Sequence, residues 1–121
     1  MKLLVASLLS ALLLQTPSAA SLFDRTVHDF GTIRLRDGAV HCTFTLTNTG
    51  EETLHIYAVI TSCGCTSVTW TREDIPAGGR GTVQVTYAND EGPYPFDKPI
   101  RVYLSSQQKP VLLHIKGIVR K

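Results

Sequence analysis

An all-β, two-sheet antiparallel sandwich of about seven strands is the fold this chain predicts, on three observations. From Val27 onward apolar and polar residues alternate with period two. Clusters of Gly, Pro, Asn and Asp punctuate that alternation at intervals of roughly 10 to 15 residues. No stretch in this region has the spacing of an amphipathic helix.

The elements follow in order. Val27-His28-Asp29-Phe30-Gly31-Thr32-Ile33 predicts a first strand, with Gly31 marking a bulge or a close backbone approach. Arg34 to Gly38 is polar and ends in the turn pair Asp37-Gly38. In the second strand Val40, Cys42, Phe44 and Leu46 share one face and His41, Thr43, Thr45 and Thr47 the other, as a half-buried antiparallel strand requires. Asn48 to Glu52 makes the next turn. The third strand, Thr53 to about Thr61, is expected to turn Leu54, Ile56, Ala58 and Ile60 inward and His55, Tyr57 and Val59 outward.

The turn Thr61-Ser62-Cys63-Gly64-Cys65-Thr66 comes next, then a short strand Ser67 to Trp70. Ile75-Pro76-Ala77-Gly78-Gly79-Arg80-Gly81 excludes regular structure. Thr82 to Tyr87 alternates again, with Val83, Val85 and Tyr87 inward. Asn89 to Pro99 reads as the longest irregular connection, a place for function or mobility. Two strands close the chain, one on Ile100, Val102 and Leu104, the other on Val111, Leu113 and Ile115 with Ile118 beyond Gly117. Two packed sheets of immunoglobulin-like type fit this count, with a closed barrel as the alternative. The antibody-type disulfide is missing, because Cys42 finds no partner between Ile100 and Leu104.

The chain of 121 residues holds one domain, and its start lies outside it. Met1-Lys2 supplies a positive end, Leu3 to Leu14 an apolar stretch, and Ser18-Ala19-Ala20 the small residues of a cleavage site. At 1.5 Å per residue the apolar stretch reaches only about 18 Å, too short to span a bilayer. Residues 1–20 are therefore expected to be a secretory signal, and residues 21–121, beginning at Ser21, an extracytoplasmic domain, periplasmic or secreted. No cysteine follows the apolar run to carry a lipid anchor. Twelve Lys and Arg against ten Asp and Glu, without a basic run, leave no footprint for nucleic acid or an acidic membrane, and no later segment could span a bilayer.

Asp29-Phe30-Gly31-Thr32-Ile33, Phe44-Thr45-Leu46-Thr47-Asn48-Thr49-Gly50, Leu54-His55-Ile56, Ser62-Cys63-Gly64-Cys65-Thr66 and Ile75-Pro76-Ala77-Gly78 occur here in that order. Pro95-Phe96-Asp97-Lys98-Pro99-Ile100 and Leu113-His114-Ile115-Lys116-Gly117 follow. Together they resemble a bacterial domain-of-unknown-function family, abundant in Bacteroidetes and related to the ASPM–SPD-2–Hydin immunoglobulin-like domains. The resemblance implies an extracytoplasmic β-sandwich and no particular activity.

The chemistry concentrates in the three cysteines. If the second and third strands form a hairpin, Cys42 lies opposite Val59-Ile60, at the same end as Cys63 and Cys65. Three arrangements stay open: a Cys63–Cys65 bridge, a bridge from Cys42 to either one, or a soft metal, copper(I) or zinc, on the two thiolates with Cys42 as third ligand. A Cys63–Cys65 bridge needs the chain to bend, which Gly64 would permit. Cys42, facing the core, reads most simply as a small buried hydrophobe. Redox exchange is less well matched, since the spacing is not Cys-X-X-Cys. His41, His55 and His114 read as surface residues, and His28 and Asp29 point to opposite faces. Neither a His-Glu-x-x-His helix, a Gly-x-Ser-x-Gly elbow nor a phosphate loop is present. Tyr94 and Phe96, among Pro93, Pro95 and Pro99, either offer a partner-contact patch or fold back over the core. The expected function is a non-catalytic binding or assembly module with a protein or cell-envelope partner and no required cofactor. The alternative is a thiol protein that handles a soft metal or exchanges disulfides through Cys63 and Cys65.

Overall fold

The computed structural model describes residues 19–121. Residues 1–18, which carry most of the expected signal segment, lie outside the described residues. After a 3-10 turn at Ala19–Leu22 come seven strands: β1 (Val27–Arg34), β2 (Val40–Thr47), β3 (Ile56–Thr61), β4 (Thr66–Trp70), β5 (Arg80–Tyr87), β6 (Pro95–Leu104) and β7 (Val111–Arg120). They form a four-stranded sheet in the order β1-β7-β6-β3 and a three-stranded sheet in the order β2-β5-β4. The two inner faces meet in one core. Phe44, Leu46, Val83 and Val85 come from the small sheet, and Ile100, Val102, Leu113 and Ile115 from the large one. The sandwich is the predicted one.

Four details differ from the expected layout, each for a physical reason. First, β1 runs parallel to β7, while every other pairing is antiparallel. Parallel neighbours need a long connection, and here nearly the whole domain separates the two strands. The predicted bulge is present: the β1–β7 register shifts between Asp29 and Thr32, and Gly31 sits at φ 69°, where glycine is favoured.

Second, β2 and β3 are not a hairpin. They lie in opposite sheets, and the Asn48–Glu52 segment is a crossing between layers. Buried Asn48 holds that crossing, donating from Nδ2 to the carbonyls of Glu52 (2.8 Å) and Ile75 (2.9 Å) and accepting from the Gly50 amide (3.1 Å).

Third, the β3–β6 register shifts between Ile56 and Ala58, a bulge that places Tyr57 outside the ladder. One extra residue reverses the alternation beyond it. Val59 is consequently buried and Ile60 is 50% exposed, the opposite of the expected assignment. In β7 the alternation runs straight through Gly117, so that Val119 is buried and Ile118 faces out.

Fourth, the irregular connection ends at Tyr94 and not at Pro99, because Pro95 opens β6. Proline removes a ladder donor. β3 pairs with β6 only from Ile100 onward, so Pro95 and Pro99 lie on a stretch that β3 does not flank. The edge-like position explains their tolerance.

Candidate functional site

The cysteine turn is the third crossing between layers, leaving β3 in the large sheet and entering β4 in the small one. The Thr66 amide donates to the Cys63 carbonyl (3.2 Å), closing a four-residue turn. The Ala88 amide donates to the Cys65 carbonyl (2.8 Å), which docks the turn on the end of β5. Cys63 and Cys65 are joined by a disulfide across a Cα–Cα distance of 5.1 Å. Of the arrangements open from sequence, the local bridge is the one formed. Gly64 does not take a left-handed conformation, and a Cβ there would meet nothing within 4 Å. The bend therefore does not depend on glycine.

Glu91 completes the site, and sequence reasoning missed it. Its Oε1 accepts hydrogen bonds from the Tyr87 hydroxyl (2.8 Å) and the Lys98 ammonium (2.9 Å). Its Oε2 is left facing the Cys63 sulfur at 3.8 Å. The two sulfurs and a Glu91 carboxylate oxygen all lie within 4.8 Å of one another. Asn89, at φ 60°, anchors the start of this loop by donating from Nδ2 to the carbonyls of Arg34 and Gly38, both at 3.0 Å. Position 91 carried no local signal, because its partners come from β5 and β6.

Charge and burial tune the cluster in opposite directions. The Lys98 hydrogen bond, then that of Tyr87, holds the Glu91 carboxyl below the usual carboxylate range. Burial, then the Glu91 hydrogen bond, pushes the Tyr87 phenol well above its ordinary value. Because the folded pKa of Glu91 is depressed, its stabilising contribution is present above the unfolded value of about 4.3 and is lost as pH falls through the folded one. Glu91→Gln is therefore expected to melt below the wild type at neutral pH and to converge with it in acid. Thermal melts across that range check this, and a difference independent of pH contradicts it.

Cys42 does not join the cluster. It pairs with Val85 on β5, is half-buried, and lies near Arg25 and Asp24, whose charges act on it. The expected approach to Cys63 and Cys65 rested on a β2–β3 hairpin that does not exist. Burial pushes its thiol pKa up, which makes it a poor nucleophile and metal ligand at neutral pH. Since Cys42 is only half-buried, Cys42→Ser is expected to cost about 1 kcal/mol or less in a urea titration. A loss of several kcal/mol would show a tighter environment.

The pair Tyr94 and Phe96 is split. Phe96 is 8% exposed and stacks on Tyr87 with ring centroids 4.0 Å apart, so it covers the core and is not a partner contact. Tyr94 remains 65% exposed. Of the histidines, His41 is exposed beside Thr86, while His55 and His114 pair with Asp74 and Asp97 at the surface. His28 meets Arg25 at 2.9 Å and not Asp29.

A second feature escaped the sequence reading. On the outer face of the large sheet, Tyr57 and Tyr103 stand with rings 6.1 Å apart, and Ile60, Arg101 and Leu112 form a row across three strands. Tyr57, Ile60 and Leu112 are 54%, 50% and 46% exposed. The Tyr57 bulge creates this patch by turning Ile60 outward.

Seven strands in sheets of four and three define an immunoglobulin-like sandwich, with bridged cysteines at one of its crossings. The chain belongs to the family described as "Protein of unknown function (DUF1573)", whose sequence model matches residues 22–119. Among solved structures it is similar to a protein of unknown function from Porphyromonas gingivalis W83, with a TM-score of 0.67 and 19% identity, covering 85% of this chain and 50% of that one. The Vibrio cholerae VesB protease also matches, with a TM-score of 0.67 and 19% identity over 79% of this chain and 31% of the protease. The ASH / PapD-like domain 7 of human CEP192 gives a TM-score of 0.64 at 10% identity, covering 89% and 92%. This chain spans half the length of the first structure and less than a third of the second. These likenesses concern the fold. No curated protein matches the sequence.

Proposed function

We propose that this domain is a non-catalytic, extracytoplasmic module that binds a protein partner through the outer face of its four-stranded sheet. The observation that carries the reading is the exposed row of Ile60, Arg101 and Leu112 beside Tyr57 and Tyr103. Aromatic residues and arginine around an apolar centre are the composition enriched where proteins meet. The opposite outer face, on the small sheet, is polar instead, with Thr43, Thr69 and Thr86 pointing out around Gln84. Two faces of one sandwich therefore differ in chemistry, and only one is suited to desolvation on contact.

The signal-like residues 1–20 support the extracytoplasmic part, as does a disulfide, a bond that persists in oxidising compartments. The non-catalytic part is supported by the lack of any recognisable catalytic motif in the sequence. Among the described residues no helix is long and apolar enough to cross a membrane.

Site-specific photo-crosslinking in the producing cells tests the binding face. A photoreactive residue at position 57 or 112 is expected to give a discrete protein adduct that Ile60→Asp removes, while one at position 43 gives none. Equal adducts from both faces, or none from either, would contradict the reading.

A further inference from the structure

We propose that reduction of the Cys63–Cys65 bridge creates a zinc site in which both cysteine thiolates and Glu91 are the protein ligands. This inference is independent of the binding face and uses a different end of the sandwich.

Geometry comes first. Tetrahedral ligands about 2.0–2.3 Å from zinc stand roughly 3.5–4 Å from one another. Glu91 Oε2 already lies 3.8 Å from the Cys63 sulfur, and all three donor atoms fall within 4.8 Å. Opening the bridge lets the two sulfurs relax from bonding distance to ligand spacing. The turn itself is held by backbone hydrogen bonds from Thr66 and Ala88 that do not involve sulfur, so its frame survives reduction.

Orientation is the second observation. Tyr87 and Lys98 both grip Oε1, which leaves Oε2 directed at the sulfurs. Fixing a ligating carboxylate through its other oxygen is what supporting residues around metal sites do. Charge is the third. With the bridge closed, Glu91 and Lys98 balance one another. With it open, two thiolates add two negative charges, and a divalent cation restores balance. Three protein ligands leave a fourth position open to solvent or to a partner's ligand.

The redox step balances with a dithiol donor. A donor thiolate bonds to the sulfur of Cys63, the more exposed of the pair, since Cys65 is 8% exposed. The Cys63–Cys65 bond breaks, and Cys65 leaves as a thiolate that takes a proton. The donor's second thiol then displaces Cys63, and the donor departs as a disulfide. Two electrons and two protons have moved to this chain, and zinc binding releases both protons to solvent. The donor's disulfide, running the same exchange in reverse, takes the two electrons back, and closure of the bridge then releases the ion, so the site reads the redox state of its surroundings.

Anaerobic titration of the purified full domain with cobalt(II), the spectroscopic stand-in for zinc, tests this. Reduced protein is expected to bind one ion per chain with a thiolate-to-cobalt charge-transfer band, displaced by zinc, while oxidised protein shows none. Glu91→Gln should weaken binding about tenfold or more, and Cys42→Ser should leave it unchanged. Lys98→Met, which removes one of the two groups that orient the Glu91 carboxylate, should also weaken binding about tenfold and guards against a Glu91 variant that fails to fold. A missing band after reduction, a band lost with Cys42, or affinity unmoved by both Glu91→Gln and Lys98→Met would overturn the proposal.

Discussion

Replacing Phe96 by alanine is expected to destabilise the domain by about 3–5 kcal/mol, a large part of the 5–15 kcal/mol typical of a domain. The ring is 8% exposed and stacks on Tyr87, itself 1% exposed, at an interplanar angle of 13°. It also lies over Gly117, where an added Cβ would come within 2.9 Å of the Phe96 ring and 3.1 Å of the Gly31 carbonyl oxygen. Removing the ring would open a cavity where β1, β6 and β7 meet and would release the Tyr87 hydroxyl that orients Glu91. A urea titration checks this. A midpoint shift equivalent to less than about 0.5 kcal/mol, the usual effect at a surface position, would place Phe96 on the surface instead.

Asn48→Ala is expected to cost about 2–4 kcal/mol, because it removes three hydrogen bonds of about 1 kcal/mol each from a buried crossing. The Asn48 side chain makes three hydrogen bonds, and its backbone pairs with Gly78 and Gly79 at 2.7 and 2.9 Å. One residue thereby joins the crossing after β2 to the turn before β5. Asn48→Asp should be worse, since a carboxylate would face the carbonyl oxygens of Glu52 and Ile75 that now accept from the amide. Thermal melts of both variants against wild type measure the order. An aspartate variant as stable as the wild type would contradict the buried network.

What was legible in the sequence is what depends on period and turn chemistry. The alternation of Phe44 and Leu46 with threonines, and of Val83, Val85 and Tyr87, gave the inward faces of β2 and β5 because each strand runs straight, although β5 opens at Arg80, inside the stretch expected to exclude regular structure. Gly31 announced its bulge, since positive φ favours glycine. The bulge at Tyr57 had no such marker, so the reading of Val59 and Ile60 inverted and the exposed patch disappeared with it. Leu112 could have been found, because it breaks an otherwise regular alternation with an apolar residue facing out.

The cysteine cluster was half legible. Cys63 and Cys65 are adjacent in sequence, and their spacing is visible at once. Glu91 reaches them through Tyr87 and Lys98, contacts that exist only after the two sheets pack. Cys42 was misplaced for a related reason: consecutive strands usually pair, and here β2 and β3 part to opposite layers. Local pattern cannot distinguish a hairpin turn from a layer crossing when both are short and polar.

The proposed role depends on the domain working outside the reducing cytoplasm with its cysteine turn closed. Mass mapping of the protein isolated from its producing cells, with free thiols blocked at lysis, tests that most directly. The predicted result is a chain beginning at Ser21, with Cys63 bonded to Cys65 and Cys42 the single blocked thiol. A chain retaining Met1 with three blocked thiols, or Cys42 bonded to either turn cysteine, would contradict it.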